Sequence, residues 1–314
     1  MIWIVGAGNM SYEYARALKD LNNEFQVIGR GPESAKNFKD KTGIDVLTGG
    51  LEHHLTTANE LPESIILATP VQDLFTTLKL SIEAGIKNIL VEKPGFMFPD
   101  EGEEALRLAQ EKKVNVFIAY NRRFFSSVLK MNQLIELDGG LKSFHFEFTE
   151  WADDIEKLAS PKITLERWVL SNSTHVIDLA FHIGSTPEQF ACKTMGGFNW
   201  HPSASYFSGM GKTQSQKPFT YFATWDSPGR WGLEFFTKNK RFILRPMEKL
   251  SVQNRNSVVI EEIQFDNSND LKCKPGLLLM IEAFLGRDAD LRKKLCTLEE
   301  HVKNFQHYCK MANY

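Results

Sequence analysis

The 314 residues carry 37 basic and 39 acidic side chains, a net charge of −2, with 42% apolar and 24% charged residues. That length and core content suit a globular chain, and favour two medium domains over one large one. The charge balance gives no electrostatic footprint for nucleic acid or an anionic membrane surface, and no apolar run approaches the ~20 residues that span a bilayer. The opening run MIWIV has no basic flank and breaks into glycines, so it reads as a strand and not as a secretory signal. Short β-rich runs then alternate with helical patterns: Ile2–Val5, Gln26–Gly29, Asp45–Leu47, Ile65–Ala68, Asn88–Glu92 and Asn115–Tyr120. Between the first two, Met10, Tyr14, Ala17, Leu18 and Leu21 recur at helical spacing, and Leu74, Leu78 and Ile82 make a second apolar stripe. Strands this apolar, separated by helices, predict a doubly wound parallel sheet of Rossmann type covered on both faces, over residues 1–121.

From residue 122 the pattern changes. Leu141–Trp151 alternates, with Phe144, Phe146 and Phe148 on one face and His145, Glu147 and Thr149 on the other. Further β-like runs follow at Phe190–Met195, Phe219–Trp225, Trp231–Phe236, Arg241–Arg245, Leu250–Gln253 and Val258–Phe265. They predict an α+β domain over residues 122–314 with an open, mainly antiparallel sheet. One helix, Leu165–Ile183, lies inside this region, and helical segments near 277–285 and 298–311 close the chain, the last a candidate to pack back on the first domain. Cys192, Cys273, Cys296 and Cys309 form no C-x-x-C pair, and no histidine spacing resembles H-E-x-x-H. Free thiols in a reducing cytoplasm, and no metal, are the expectation.

Gly6-Ala7-Gly8 follows the first strand and opens the first helix. The first glycine permits a tight turn, the second lets a pyrophosphate approach the backbone, and the helix N-terminus beginning at Asn9 and Met10 supplies N–H groups. Ser11 stands where a third glycine is usual and is small enough for helix–strand packing. The second strand ends in Gly29-Arg30-Gly31, with Lys36 behind, where an NAD site carries an acid. Arg30 suits the 2′-phosphate of NADP, and a charge-assisted contact of roughly 1.5–3 kcal/mol amounts to about ten- to a hundredfold; a solvated loop arginine is the plain alternative. Ala68-Thr69-Pro70 and Glu92-Lys93-Pro94 end the fourth and fifth strands, at the carboxyl edge where ligands of such sheets bind.

These motifs, with Ala84-Gly85, Tyr120-Asn121-Arg122-Arg123-Phe124, His175-Val-Ile-Asp178 and Lys274-Pro275-Gly276, resemble the Gfo/Idh/MocA (glucose–fructose oxidoreductase, inositol dehydrogenase) oxidoreductases over nearly the whole chain. The resemblance implies an NAD(P)-dependent oxidoreductase acting on CH–OH, with Lys93 and His175 catalytic and Glu92, Asn121 and Arg123 on the coenzyme side. Many members carry an aspartate four residues before the histidine; this chain has Ser171, which withholds a carboxylate from the imidazolium. Ser171, His175, Asp178 and His182 share one face of the helix Leu165–Ile183, and a core histidine held by Asp178 is the alternative to a catalytic one. Tyr120, Trp151, Arg167, Ser171 and Asn172 are the candidates for substrate contact. The expected substrate is a sugar or sugar derivative, nucleotide-linked in one version. The rivals are a dinucleotide-binding sensor that has lost the chemistry and a reductase of a non-sugar compound. A phenylalanine-rich exposed sheet face is expected to carry a homodimer or homotetramer contact.

Overall fold

The computed structural model describes all residues, 1–314. They form two compact units, Met1–Tyr120 with Leu271–Val302 and Asn121–Asp270 with Lys303–Tyr314.

The first unit is built on β1 (Ile2–Val5), β2 (Phe25–Ile28), β3 (Val46–Leu47), β4 (Ser64–Leu67), β5 (Asn88–Val91) and β6 (Asn115–Ile118). They run parallel in the order β6-β5-β4-β1-β2-β3. This is the doubly wound order, and the chain reverses direction between β1 and β4, which opens a crevice at their carboxyl ends. The helices are α1 (Asn9–Asp20), α2 (Pro32–Thr42), α3 (Gly50–Thr57), α4 (Leu74–Glu83) and α5 (Pro99–Lys112). β1 is buried at every residue, as a central strand covered on both faces must be. α1 turns Ser11, Tyr14, Ala15, Ala17 and Leu18 inward. β6 stops at Ile118, short of the expected Tyr120, because the Tyr120 N–H turns back to the Ile118 carbonyl at 2.8 Å. Beyond β6 lies a strand the sequence patterns do not announce: Cys296–Thr297 pairs antiparallel with Ile118 and Phe117.

The second unit holds β7 (Ser143–Glu147), β8 (Pro187–Met195), β9 (Tyr206–Thr213), β10 (Pro218–Thr224), β11 (Gly232–Phe236), β12 (Lys240–Leu244), β13 (Ser251–Asn254) and β14 (Ile260–Glu262). The sheet order is β14-β13-β12-β11-β7-β10-β9-β8, antiparallel except where β7 meets β10. β9 is absent from the expected elements because Gly209 and Gly211 interrupt its pattern. Both are required by close approach: a Cβ on Gly209 would collide with the Tyr221 ring, and one on Gly211 with the Gln189 carbonyl.

The phenylalanines correct one expectation. Phe144, Phe146, Phe148, Phe219 and Phe235 are at most 2% exposed, and Phe144, Phe146 and Phe219 pack on Phe181 of the helix Thr174–Gly184. They form the core of this unit, so these rings are not the exposed face that the sequence pattern suggested. Each buried ring contributes on the order of 1.5–3 kcal/mol. The other face carries His145, Glu147, Glu234 and Arg241, joined by His145–Thr220 and Arg241–Glu234 bonds.

A second correction concerns the helix expected over Leu165–Ile183. It is broken into a short helix Lys162–Glu166, a π turn Val169–Ser173 and the helix Thr174–Gly184. The apolar residues run through all three pieces, so the sequence spacing does not betray the wider turn.

Candidate functional site

In the first unit a crevice of about 760 Å³ opens at the carboxyl ends of β1, β2 and β4. Gly6 sits at φ +118°, and a Cβ there would strike the Ala68 carbonyl oxygen and crowd Ser11 Oγ at 3.1 Å. Glycine is therefore obligatory at this turn. A Cβ on Gly8 would meet nothing within 4 Å, since that residue faces the open crevice. Gly8 is the N-cap of α1, and no side chain caps the helix. The N–H groups of a twelve-residue helix thus point at the crevice, with the positive end of its dipole. Ser11 is fully buried in the helix–strand contact. A narrow glycine turn, an uncapped helix start and space above them are what a dinucleotide pyrophosphate requires, so the residues fit such a coenzyme. Met10, Ala68, Thr69 and Pro70 also line the crevice, with Thr69 Oγ1 3.3 Å from Thr77 Oγ1. The Asn9 side chain accepts from Lys41 Nζ at 2.9 Å.

Arg30, beyond β2, stands on the same crevice with its side chain 76% exposed, and its Nη2 donates to Asp73 Oδ2 at 2.9 Å. Gly49 and Gly50, both at positive φ, back this turn, and the Gly50 N–H reaches the Gly29 carbonyl at 2.9 Å.

At the end of β5, Glu92 accepts from the hydroxyl of Tyr14 at 2.6 Å. Tyr14 is fully buried on α1, and burial first, then the Glu92 carboxylate, pushes its phenol pKa well up. The sequence marks Tyr14 only as a member of an apolar stripe. Lys93 follows, half-buried, joined to Pro94 by a cis peptide bond. The Pro94 carbonyl lies 2.8 Å from Nε2 of the fully buried His301. Tyr120, a substrate candidate from the sequence, is 1% exposed and packs on the His301 ring at 5.6 Å.

The second unit carries His175 on the helix Thr174–Gly184, 7% exposed, with its ring 6.1 Å from that of Trp231. Asp178, one turn on, receives a fork from Arg123: Nε to Oδ2 at 2.8 Å and Nη2 to Oδ1 at 2.6 Å, both side chains 1% exposed. Arg123 thus forms a buried, forked pair with Asp178. Asn121, 5% exposed, accepts from Arg122 Nη1 at 3.3 Å. Ser171 lies in the π turn, and its hydroxyl faces the Thr164 and Arg167 carbonyls, each at 3.1 Å. The expected single polar stripe through Ser171 and His175 is interrupted there. Arg167 lies over the Tyr314 ring at 5.1 Å.

Glu150, 1% exposed, is the residue in this region that the sequence reading missed. It accepts from Ser173 at 2.7 Å, Asn172 at 3.0 Å and Arg230 at 2.6 Å. Burial raises its pKa against the opposing pull of those donors. Asn172, offered as a substrate ligand, thereby spends its amide on Glu150. The Arg230 guanidinium lies 4.7 Å from both the Trp151 and Trp231 ring centres, and that of Arg122 lies 4.9 Å from Trp231. Trp151 remains 56% exposed, its indole N–H fixed on the Gly229 carbonyl at 3.0 Å.

The family model described as "Oxidoreductase family, NAD-binding Rossmann fold" (GFO_IDH_MocA) matches residues 1–120. Over this stretch, under half of its length, the chain is similar to the Gfo/Idh/MocA oxidoreductases. The chain is 23% identical over 216 residues to scyllo-inositol 2-dehydrogenase (NADP(+)) IolW of Bacillus subtilis (strain 168), a match covering 66% of this chain and 58% of that protein. The chain therefore spans little more than half of that curated relative. Among solved structures, UDP-N-acetylglucosamine 3-dehydrogenase GnnA from Acidithiobacillus ferrooxidans superposes with a TM-score of 0.74 at 14% identity, covering 99% of this chain and 95% of that one. A levoglucosan dehydrogenase in complex with NADH and L-sorbose gives 0.77 at 16% identity, covering 99% and 96%. At such identities these likenesses concern the fold. No helix is long and apolar enough to cross a membrane, and no group of three or more His, Cys, Asp or Glu residues is arranged to hold a metal ion.

Proposed function

We propose that the chain is an NADP-preferring oxidoreductase that moves a hydride between nicotinamide and a hydroxyl- or carbonyl-bearing carbon of a sugar or sugar derivative. The observation that carries the reading is the glycine-turned crevice with Arg30, and no acid, at the end of β2. The name of the NADP(+)-dependent inositol dehydrogenase relative supports both the coenzyme and the polyhydroxy substrate class.

When bound, the coenzyme supplies the hydride donor or acceptor at C4 of its nicotinamide. The protein's part is the proton and the oxygen. Loss of hydride from an alcohol must be matched by loss of the hydroxyl proton, and His175 is suited to take it near neutral pH. The Lys93 ammonium is suited to stabilise negative charge on a reacting oxygen, and Tyr14 steadies the neighbouring Glu92 from behind. Trp151, 56% exposed, offers an indole face on which a sugar ring can stack.

Titration of NADPH and NADH by fluorescence, then a turnover screen over polyols, sugars and nucleotide sugars, tests this reading. Lys93→Ala and His175→Ala should keep NADPH binding and lose turnover by about 10²–10⁴-fold. Failure to bind either coenzyme refutes it. A second reading, a dinucleotide sensor, is favoured by one observation: Ser171 turns its hydroxyl toward backbone carbonyls and offers no carboxylate. Coenzyme binding without turnover on any substrate, unchanged in Lys93→Ala, would establish the sensor.

A further inference from the structure

Asp73 occupies the N-cap position of α4, where an aspartate ordinarily accepts from the backbone N–H groups of its own helix. It makes no such cap bond. Its backbone is held in the turn Val71–Asp73, with its N–H on the Pro70 carbonyl at 2.8 Å and its carbonyl receiving the Thr77 hydroxyl at 3.0 Å. The carboxylate instead reaches to Arg30, 2.9 Å away, and both residues line the dinucleotide crevice. The pair is a partly solvated one, 76% and 29% exposed, so it contributes little to folding. Its consequence lies in the charge that meets a ligand.

NADP differs from NAD by a 2′-phosphate of about −1.5 to −2 charges. The cation that lines the crevice beyond β2 is Arg30, and Arg30 presents itself already matched by an anion. A phosphate drawn to the guanidinium comes within a few ångströms of the Asp73 carboxylate, and the two repel. The unphosphorylated ribose suffers no such penalty, because its hydroxyls can donate to a carboxylate. Deepening the coenzyme reading given above, we propose that Asp73 is a coenzyme-specificity residue. It opposes Arg30, holds down the preference for 2′-phosphorylated dinucleotides, and keeps the crevice open to NAD as well.

The test measures binding alone, on the full chain. NADPH, NADH, 2′,5′-ADP and 5′-AMP are titrated into wild type, Asp73→Asn, Arg30→Ala and the double variant by calorimetry, with thermal melts to confirm folding. Asp73→Asn should tighten NADPH and 2′,5′-ADP by about tenfold, equivalent to ~1.4 kcal/mol, and leave NADH and 5′-AMP unchanged or weaker. The gain should shrink in 0.5 M salt, where exposed charges are screened. Unchanged or weakened NADPH in Asp73→Asn, with wild type binding both coenzymes, overturns the proposal and leaves the oxidoreductase reading intact. Wild type that binds neither coenzyme overturns both.

Discussion

Replacing Asp178 by alanine should strongly destabilise the second unit. Arg123 and Asp178 are each 1% exposed and share two bonds of 2.8 and 2.6 Å. Removing the carboxylate leaves a guanidinium buried without the anion that its fork addresses, at a cost of about 3–5 kcal/mol. For a unit of this size each kcal/mol lowers the melting temperature by roughly 2–4 °C, so a fall of roughly 6–20 °C is expected. Trp151, Trp168, Trp200, Trp225 and Trp231 all lie in that unit, so tryptophan fluorescence in urea follows its unfolding. Replacing both partners, in Arg123→Leu with Asp178→Leu, should recover most of the loss, because the penalty comes from the orphaned charge and not from the missing pair. A loss below about 1 kcal/mol for Asp178→Ala, or a double variant as unstable as the sum of the singles, would refute the reasoning.

Gly6→Ala should abolish dinucleotide binding and cost roughly 1–3 kcal/mol, since its Cβ would enter the Ala68 carbonyl at a φ of +118°; coenzyme titration and urea unfolding check it. Tyr14→Phe removes the hydroxyl that holds Glu92 and should cost about 1–3 kcal/mol, with a raised KM for the coenzyme and little change in kcat. His201 is buried between the Ala204 carbonyl and the Tyr314 hydroxyl, and burial depresses its pKa from 6.5 to about 4. A depressed histidine gives stability that is present above pH 6.5 and lost as the pH falls through about 4, a loss of ~3 kcal/mol. Denaturant melts between pH 7 and 4 should show this, and His201→Phe should flatten the curve; an equally steep curve in that variant would contradict the assignment.

The parallel sheet and its glycine turn were legible because a covered strand must be apolar throughout and because only glycine tolerates Gly6's backbone. Arg30 was legible as a cation in the place of an acid, but its partner was not: Asp73 lies on another crossover, and only the folded chain brings the two together. The same holds for Tyr14, whose ring follows the apolar stripe while its hydroxyl serves Glu92. Glu150 ends an alternating run and resembles any solvated strand residue until Ser173, Asn172 and Arg230 surround it. The π turn escapes a pattern read at 3.6 residues per turn, because one extra residue leaves every apolar position still apolar. The alternation of Phe144, Phe146 and Phe148 predicted two faces correctly but could not say which one the helix Thr174–Gly184 would cover.

The antiparallel strand Cys296–Thr297 has a consequence for solubility. Six parallel strands end at β6 with a row of unpaired amides and carbonyls, the kind of border to which another chain can add itself. Two residues, contributed from nearly 180 positions further along, occupy that border. Without them the sheet would expose a strand edge able to template aggregation. The end of the polypeptide thus acts as a guard for its beginning.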